Sequence, residues 1–242
     1  MARLNELLLV LPDVIRKRAP KFKIKYKNES ILMKIIGFFL FFAHFMRRTT
    51  TFLSTVYFST RRHVRNSPTQ CSITLGHEYV HVIDGTRNPI IFALGYAFPQ
   101  IGAVLSLFAI LAIWHWAFLF FILFLGCLAP LPAPWRAKWE ERGFLMTTIL
   151  ERRRDGGFLP GTRDFLVEVF SGWSYYKMQS KQEAHRTAQR IMDNAREEKY
   201  PTDNPAYKDV LDLLDRPSVM EEGADLLDYV CRVSEPPEPY DN

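Results

Sequence analysis

From Pro89 to Pro134 the chain carries no acidic or basic side chain, His115 excepted. Such a stretch must leave water, either inside a protein core or in lipid, and that choice constrains everything around it. It divides at His115 into two apolar runs, Ile90 to Trp114 and Trp116 to Pro134, the first interrupted by Pro99-Gln100. Each approaches the length of about 20 residues with which a helix crosses hydrocarbon. The simplest reading is an apolar helical hairpin. Its flanks are basic, Arg87 on one side and Arg136 and Lys138 on the other, with Trp114 and Trp116 at the tip. By the positive-inside rule both ends then stay cytoplasmic while the tip inserts into the membrane or crosses it. Two buried helices of a soluble cytoplasmic core are the alternative.

Just before this stretch stands His77-Glu78-Tyr79-Val80-His81, an H-E-x-x-H sequence inside the apolar segment Ile73 to Ile83. Helix positions four apart share a face, so both imidazoles can reach one metal ion while Glu78 points at a water beside it. That is the arrangement of a zinc (Zn2+) hydrolase, most often a peptidase. Two satisfied histidines on a helix are the plainer alternative, in which case the chain is a non-catalytic membrane-associated protein with an accidental or decayed motif. Asp84 lies three residues after His81, on the same face, where it could hydrogen-bond a ligand imidazole. It could equally be an exposed carboxylate at the helix end, since Gly85 follows as a candidate C-cap.

The net charge of +5 is unevenly placed. Arg16-Lys17-Arg18, Lys21, Lys23, Lys25 and Lys27 make a basic N-terminal run. It has the charge to touch nucleic acid or anionic lipid. It reads more simply as a solvated helix end followed by an edge strand, because Lys21 to Tyr26 alternates with period two, so nucleic acid is not an expected partner. Cys71, Cys127 and Cys231 lie far apart with no C-x-x-C pair, which indicates neither a disulfide framework nor a thiolate zinc site and fits a reducing compartment. The apolar run Leu7 to Leu11 is bracketed by Asn5, Glu6 and Asp13, too short and too acidic at its edges for a signal peptide.

Residues 3–18 read as an amphipathic helix ended by Pro20. Ser30 to Met46 is very apolar and, at its length, suits a core helix packed under the H-E-x-x-H helix, with His44 as a core or interface histidine. Thr49 to Phe58 is dense in β-branched and aromatic residues and reads as one strand. As an exposed edge strand, with Thr51, Leu53 and Thr55 along it, it could pair with an extended polypeptide substrate and hold the scissile bond near the metal. Asn66-Ser67-Pro68-Thr69 supplies an N-cap and a first-turn proline for the motif helix. Beyond the hairpin, Arg136 to Met146 has helical spacing, and Gly156-Gly157 and Pro160-Gly161 break the chain. Helical segments follow at 163–198 and 205–231, with Tyr175, Tyr176 and His185 as packing residues or secondary site candidates.

The order strand, HEYVH helix, apolar hairpin, then a helix with Glu140-Glu141-Arg142-Gly143-Phe144 resembles the gluzincin metallopeptidases, in particular the HtpX-like membrane proteases and the phage-type minigluzincins. In those families an E-x-x-A-D or E-x-R-A-Y segment after such a hairpin supplies the third zinc ligand. The resemblance covers residues 28–150 and implies that Glu140 is that ligand, with Arg142, Gly143 and Phe144 on the charged, small and aromatic positions. Gly and Phe stand where the HtpX-like proteins have Ala and Asp, so the looser minigluzincin pattern is the one matched. The implied fold is α+β and mostly helical, a zincin-like core with a short sheet, the motif helix and the hairpin. The implied activity is peptide hydrolysis by zinc held on His77, His81 and Glu140, with Glu78 as general base. The chain then divides into a basic segment at 1–27, a gluzincin-like core at 28–155 containing the hairpin 89–134, a helical region at 156–234 and a disordered tail at 235–242.

Overall fold

A computed structural model describes residues 2–39, 45–52, 54–129, 131–175 and 177–216. His44, Leu53, Tyr176, Cys231, the end of the helix expected to reach 231 and the tail at 235–242 lie outside the described residues. What is described is mostly helical with one small sheet, an α+β arrangement.

Helix α1, Ala2–Arg18, sets Leu4, Leu7, Leu8, Leu11 and Ile15 on one face by their three- and four-residue spacing, and all five are buried. Its last turn is Arg16, Lys17 and Arg18, cations placed where the helix dipole favours them. Strand β1, Lys23–Tyr26, follows with its lysines outward and Tyr26 inward. The single strand expected at 49–58 is instead two, β2 at Thr50–Phe52 and β3 at Thr55–Phe58, paired antiparallel with Thr51 opposite Val56. Leu53-Ser54 carries none of the Gly, Asn or Asp that mark a two-residue turn, which is why the break is silent in the sequence. The order is β1-β3-β2, with β1 parallel to β3. Thr55 therefore sits on the central strand, paired with both Lys23 and Phe52, and offers no free edge. Thr51, on β2, does.

Helix α2, Ile31–Phe39, buries Met33 but leaves Ile31, Leu32, Ile35 and Phe38 exposed. It lies outside the core rather than beneath the motif helix, a place that α1 takes. A short α3, Arg61–Asn66, capped by the Thr60 hydroxyl on the His63 amide, leads into α4, Pro68–Arg87. Pro68 opens α4 as expected, but the Ser67 side chain makes no capping bond, and Gly85 is inside the helix rather than its cap. Ile73, Leu75, Tyr79, Val80 and Val82 of α4 are fully buried. They are covered by α1 and by α6, Pro134–Asp155, which closes at Gly156 in the left-handed region with φ 74°. A Cβ on Gly76 would meet the terminal Cδ1 of Leu150 at 2.9 Å, so α4 and α6 pack closely here and a larger residue would require that side chain to shift.

Between these two helices runs the apolar excursion: α5 at Pro89–Ala97, then 3-10 helices at Gln100–Ile113 and Trp116–Leu128 packed on one another through Phe108 and Phe121. Leu107, Ile110, Ile113, Trp114, Trp116, Phe120 and Leu123 are exposed, so the hairpin is not covered by the other described parts of this chain. No single described helix is long and apolar enough to cross a membrane. The pair Pro89–Ala97 and Gln100–Ile113, bent by 80° at the break between them, is long and apolar enough only when the two are taken together.

The remaining helices are α7 at Thr162–Ser171, α8 at Lys181–Arg196 and α9 at Ala206–Asp215, so the helix expected at 163–198 is interrupted after Ser171. Ser180 and Glu183 start α8 with a reciprocal capping box. Phe170, Ala184, Ile191, Tyr207 and Val210 join the core built on α1, α4 and α6.

Candidate metal centre

One turn of α4 separates His77 from His81 and aims both rings at α6, where Glu140 meets them. The two Nε2 atoms are 3.0 Å apart, and Oε2 of Glu140 lies 3.5 Å from that of His77 and 3.9 Å from that of His81. Ligands held tetrahedrally at 2.0–2.1 Å from zinc stand about 3.3 Å from one another, so the three atoms are spaced to share one ion. Among the described residues this trio is the group of histidine and carboxylate side chains able to hold a metal, its ligand atoms all within 4.8 Å of one another.

The surroundings fix those atoms in place. Nδ1 of His77 is 3.1 Å from Oγ1 of Thr147, which leaves Nε2 for a metal. Oε1 of Glu140 accepts a hydrogen bond from the Tyr96 hydroxyl on α5, leaving Oε2 for the histidines. Gly143 faces the His77 ring so closely that any Cβ there would collide with it. Nδ1 of His81 is buried without a hydrogen-bond partner among the described residues.

Electrostatics point the same way. Burial alone would raise the Glu140 carboxyl, but its hydrogen bond to His77 and the charges of His81 and His77 hold it at about 2. Burial, helped by the charge on His77, drives His81 down to about 3. Burial also opposes a charge on His77, yet its bond to Glu140 and the nearby Glu78 and Glu140 carboxylates raise it above the usual imidazole value. A buried carboxylate beside two imidazole nitrogens calls for a positive charge between them, either a proton on His77 or a metal ion.

Glu78, beside His77 on the same helix, is buried, and its Oε2 accepts a 2.6 Å hydrogen bond from the Thr51 hydroxyl. Burial raises this carboxyl, against the pull of His77 and Thr51. A cleft of about 480 Å³ opens over the trio, lined among others by Thr50, Glu78, Tyr96, Phe144 and Tyr175.

The sequence-derived candidates thus fall into two groups. His77, Glu78, His81 and Glu140 converge, with Thr51 touching Glu78. Asp84 does not join them: it is buried, pairs with Arg142 at 2.9 Å and accepts from Asn204 at 3.0 Å, bracing α4 against α6 and the turn before α9 instead of orienting a histidine. Glu141, next to the ligand position, turns away to Arg190 at 2.5 Å. Thr55 is on the central strand and His185 on α8 does not line the cleft, whereas Tyr175 is part of its wall. Tyr96 and Thr147 were not anticipated. The signal for Thr147 was its place two helical turns after Glu140, on the same face, and for Tyr96 its position as a hydroxyl in an otherwise uncharged run next to the motif helix. Comparison of the chain with protein families, curated proteins and solved structures finds no match.

Proposed function

We propose that the chain is a zinc-dependent metallopeptidase of gluzincin type, its zincin-like core anchored to a membrane by the hairpin 89–134. The observation that carries this reading is the convergence of His77, His81 and Glu140 on one point, with the Glu78 carboxylate beside them at an open cleft. Three protein ligands and an open side are the pattern of catalytic zinc sites, whereas structural sites close with four.

Zinc, when bound, supplies the Lewis acidity that polarises a carbonyl and acidifies a water. The chain supplies the rest. Thr51 holds one oxygen of Glu78, so the other is free to take a proton from the attacking water and pass it to the leaving amine. Thr147 and Tyr96 orient His77 and Glu140 through the hydrogen bonds above. The free edge of β2, which lines the cleft at Thr50, suits an extended polypeptide added as a further strand. Arg87, Arg136 and Lys138 at the base of the hairpin favour a cytoplasmic position for this catalytic part, and the exposed apolar side chains of the hairpin suit lipid.

The test is metal analysis and peptide hydrolysis by the purified protein beside its Glu78→Gln variant. About one zinc per chain in both, with hydrolysis only in the parent, is the expected result. No transition metal bound on titration overturns the reading and leaves a non-catalytic membrane-associated protein, and cleavage indifferent to Glu78 overturns its role as the general base.

A further inference from the structure

We infer that the cleft selects polypeptides with acidic residues on the C-terminal side of the scissile bond, recognised by Arg47 and Arg48. The inference rests on the peptidase reading above and adds the substrate class.

The chain entering β2 forms one wall of the cleft, with Arg47, Arg48, Thr49 and Thr50 all lining it. Thr50 is paired with Tyr57, next to the end of β3 that leads into α3. His63 of α3 lines the same cleft. This end of the cleft is therefore basic. Glu151 on α6 also lines the cleft, and its charged neighbours are Arg154 and Asp155. The other lining carboxylates, Glu78 and Glu140, are engaged at the metal centre.

Elsewhere in the fold arginines are used in ion pairs: Arg61 with Glu29, Arg142 with Asp84, Arg153 with Glu198. Among the described residues Arg47 and Arg48 have no such carboxylate partner. Arg48 is anchored on Tyr175, its guanidinium carbon 3.5 Å from the ring centroid and its side chain hydrogen-bonded to that residue. A guanidinium has five N–H donors, so one anchored on an aromatic ring retains donors for a carboxylate. Arg47 beside it is exposed.

Strand pairing gives the direction. Antiparallel addition is the commoner pairing of strands, and a peptide laid antiparallel along β2 runs from Phe52 toward Thr50. The residue level with Thr51 sits beside Glu78 and the metal ligands. Residues past Thr50, toward Arg48 and Arg47, lie on the C-terminal side of that point. Aspartate or glutamate there meets two arginines, while lysine or arginine meets repulsion.

The experiment uses zinc-loaded, full-length Glu78→Gln protein and fluorescent peptides of one composition. An Asp-Asp pair is placed after or before a central apolar segment, with Lys-Lys counterparts. The Asp-Asp-after peptide should bind about fivefold more tightly than the Asp-Asp-before peptide, the modest advantage of two exposed ion pairs. The advantage should shrink with added salt. Arg47→Glu should erase it and Arg47→Glu/Arg48→Glu should favour the Lys-Lys-after peptide. The single variant leaves the Arg48 contact with Tyr175 intact, so it decides the matter even if the double variant folds poorly. Equal binding of all peptides, or preference for acid on the N-terminal side, overturns the inference alone. Binding of no peptide by a zinc-loaded protein that also cleaves none in its parent form overturns the peptidase reading with it.

Discussion

A Cβ on Gly143 would lie 2.5 Å from Nε2 of His77, so the smallest residue of α6 is what admits the first histidine of α4 to the space beside Glu140. Gly143→Ala, a change that by helix propensity alone favours α6 by about 1 kcal/mol, must push the ring away from the point it shares with His81 and Glu140. Zinc affinity should fall about 10- to 100-fold, as for other changes that disturb the orientation of a ligand, with the fold retained. Competition against a chromophoric chelator measures this directly. Parental affinity in Gly143→Ala would mean that His77 is not held there by a metal.

Neighbouring glutamates on α6 give a second test. Glu140 faces the histidines and Glu141 faces Arg190, because adjacent helix positions point about 100° apart. Glu140→Gln should weaken metal binding severely, and Glu141→Gln should leave it unchanged. Tyr96→Phe removes the donor to Oε1 of Glu140 and should cost about tenfold in affinity. The reverse order for the two glutamates would shift the ligand assignment by one residue.

Removing catalysis while keeping the site is the third test. Gln at position 78 fills the space of Glu78 and can still accept from Thr51, but it cannot take a proton from water. Glu78→Gln should bind zinc as the parent does and lose about 10²- to 10⁴-fold in kcat. Thr51→Val, which frees the Glu78 oxygen it now holds, should lower kcat more than it alters KM. Both follow from steady-state kinetics on a peptide that the parent cleaves.

The parts of this site legible in sequence are those fixed by local geometry. His77 and His81 share a face because four residues make a turn, whatever the rest of the chain does. Glu140 needed a resemblance, since nothing local ties it to α4. Asp84 shows where local reasoning fails. Its spacing from His81 suits a hydrogen bond to the ring, yet Arg142 and Asn204 reach it from distant parts of the chain and take its oxygen. Thr49 to Phe58 reads as one strand because β-branched and aromatic residues run through it, and no Gly, Asn or Asp stands between Phe52 and Thr55 to signal the break. Likewise α2 is as apolar as a core helix, but apolarity does not say which helix reaches the core first, and α1 holds that place.

The hairpin yields a fourth prediction. Between Leu107 and Leu123 the large apolar side chains Leu107, Phe108, Ile110, Ile113, Trp114, Trp116, Leu119, Phe120, Ile122 and Leu123 are all exposed, a concentration that points to an apolar surrounding. The protein should partition with membranes and resist carbonate extraction. Leu123→Arg, placing a charge on that surface at about 2.5–3.5 kcal/mol in a bilayer, should shift it toward the extractable fraction. A monodisperse protein recovered without detergent would overturn membrane anchoring and leave the metal centre untouched.

Lys27 supplies the last prediction. It is fully buried, its Nζ donates to the Phe45 carbonyl and the Thr50 hydroxyl, each at 2.7 Å, and it sits 3.5 Å over the Phe45 ring. Burial pulls its pKa down to about 7 from 10.5, with Arg48 acting in the same direction and Glu78 against it. Below about 7 the lysine is charged in both folded and unfolded chains. Between about 7 and 10.5 the unfolded chain keeps a proton that the folded one has released, so stability rises with pH across that window. Lys27→Met has no proton to release and should lack the rise, though it leaves Phe45 and Thr50 without their donor and is less stable throughout. Unfolding of both proteins in one detergent at about pH 7 and about pH 9 should show the parent gaining about 2 kcal/mol relative to the variant. A constant difference between the two would mean that Lys27 stays charged in the fold, held by its two oxygens and the aromatic ring.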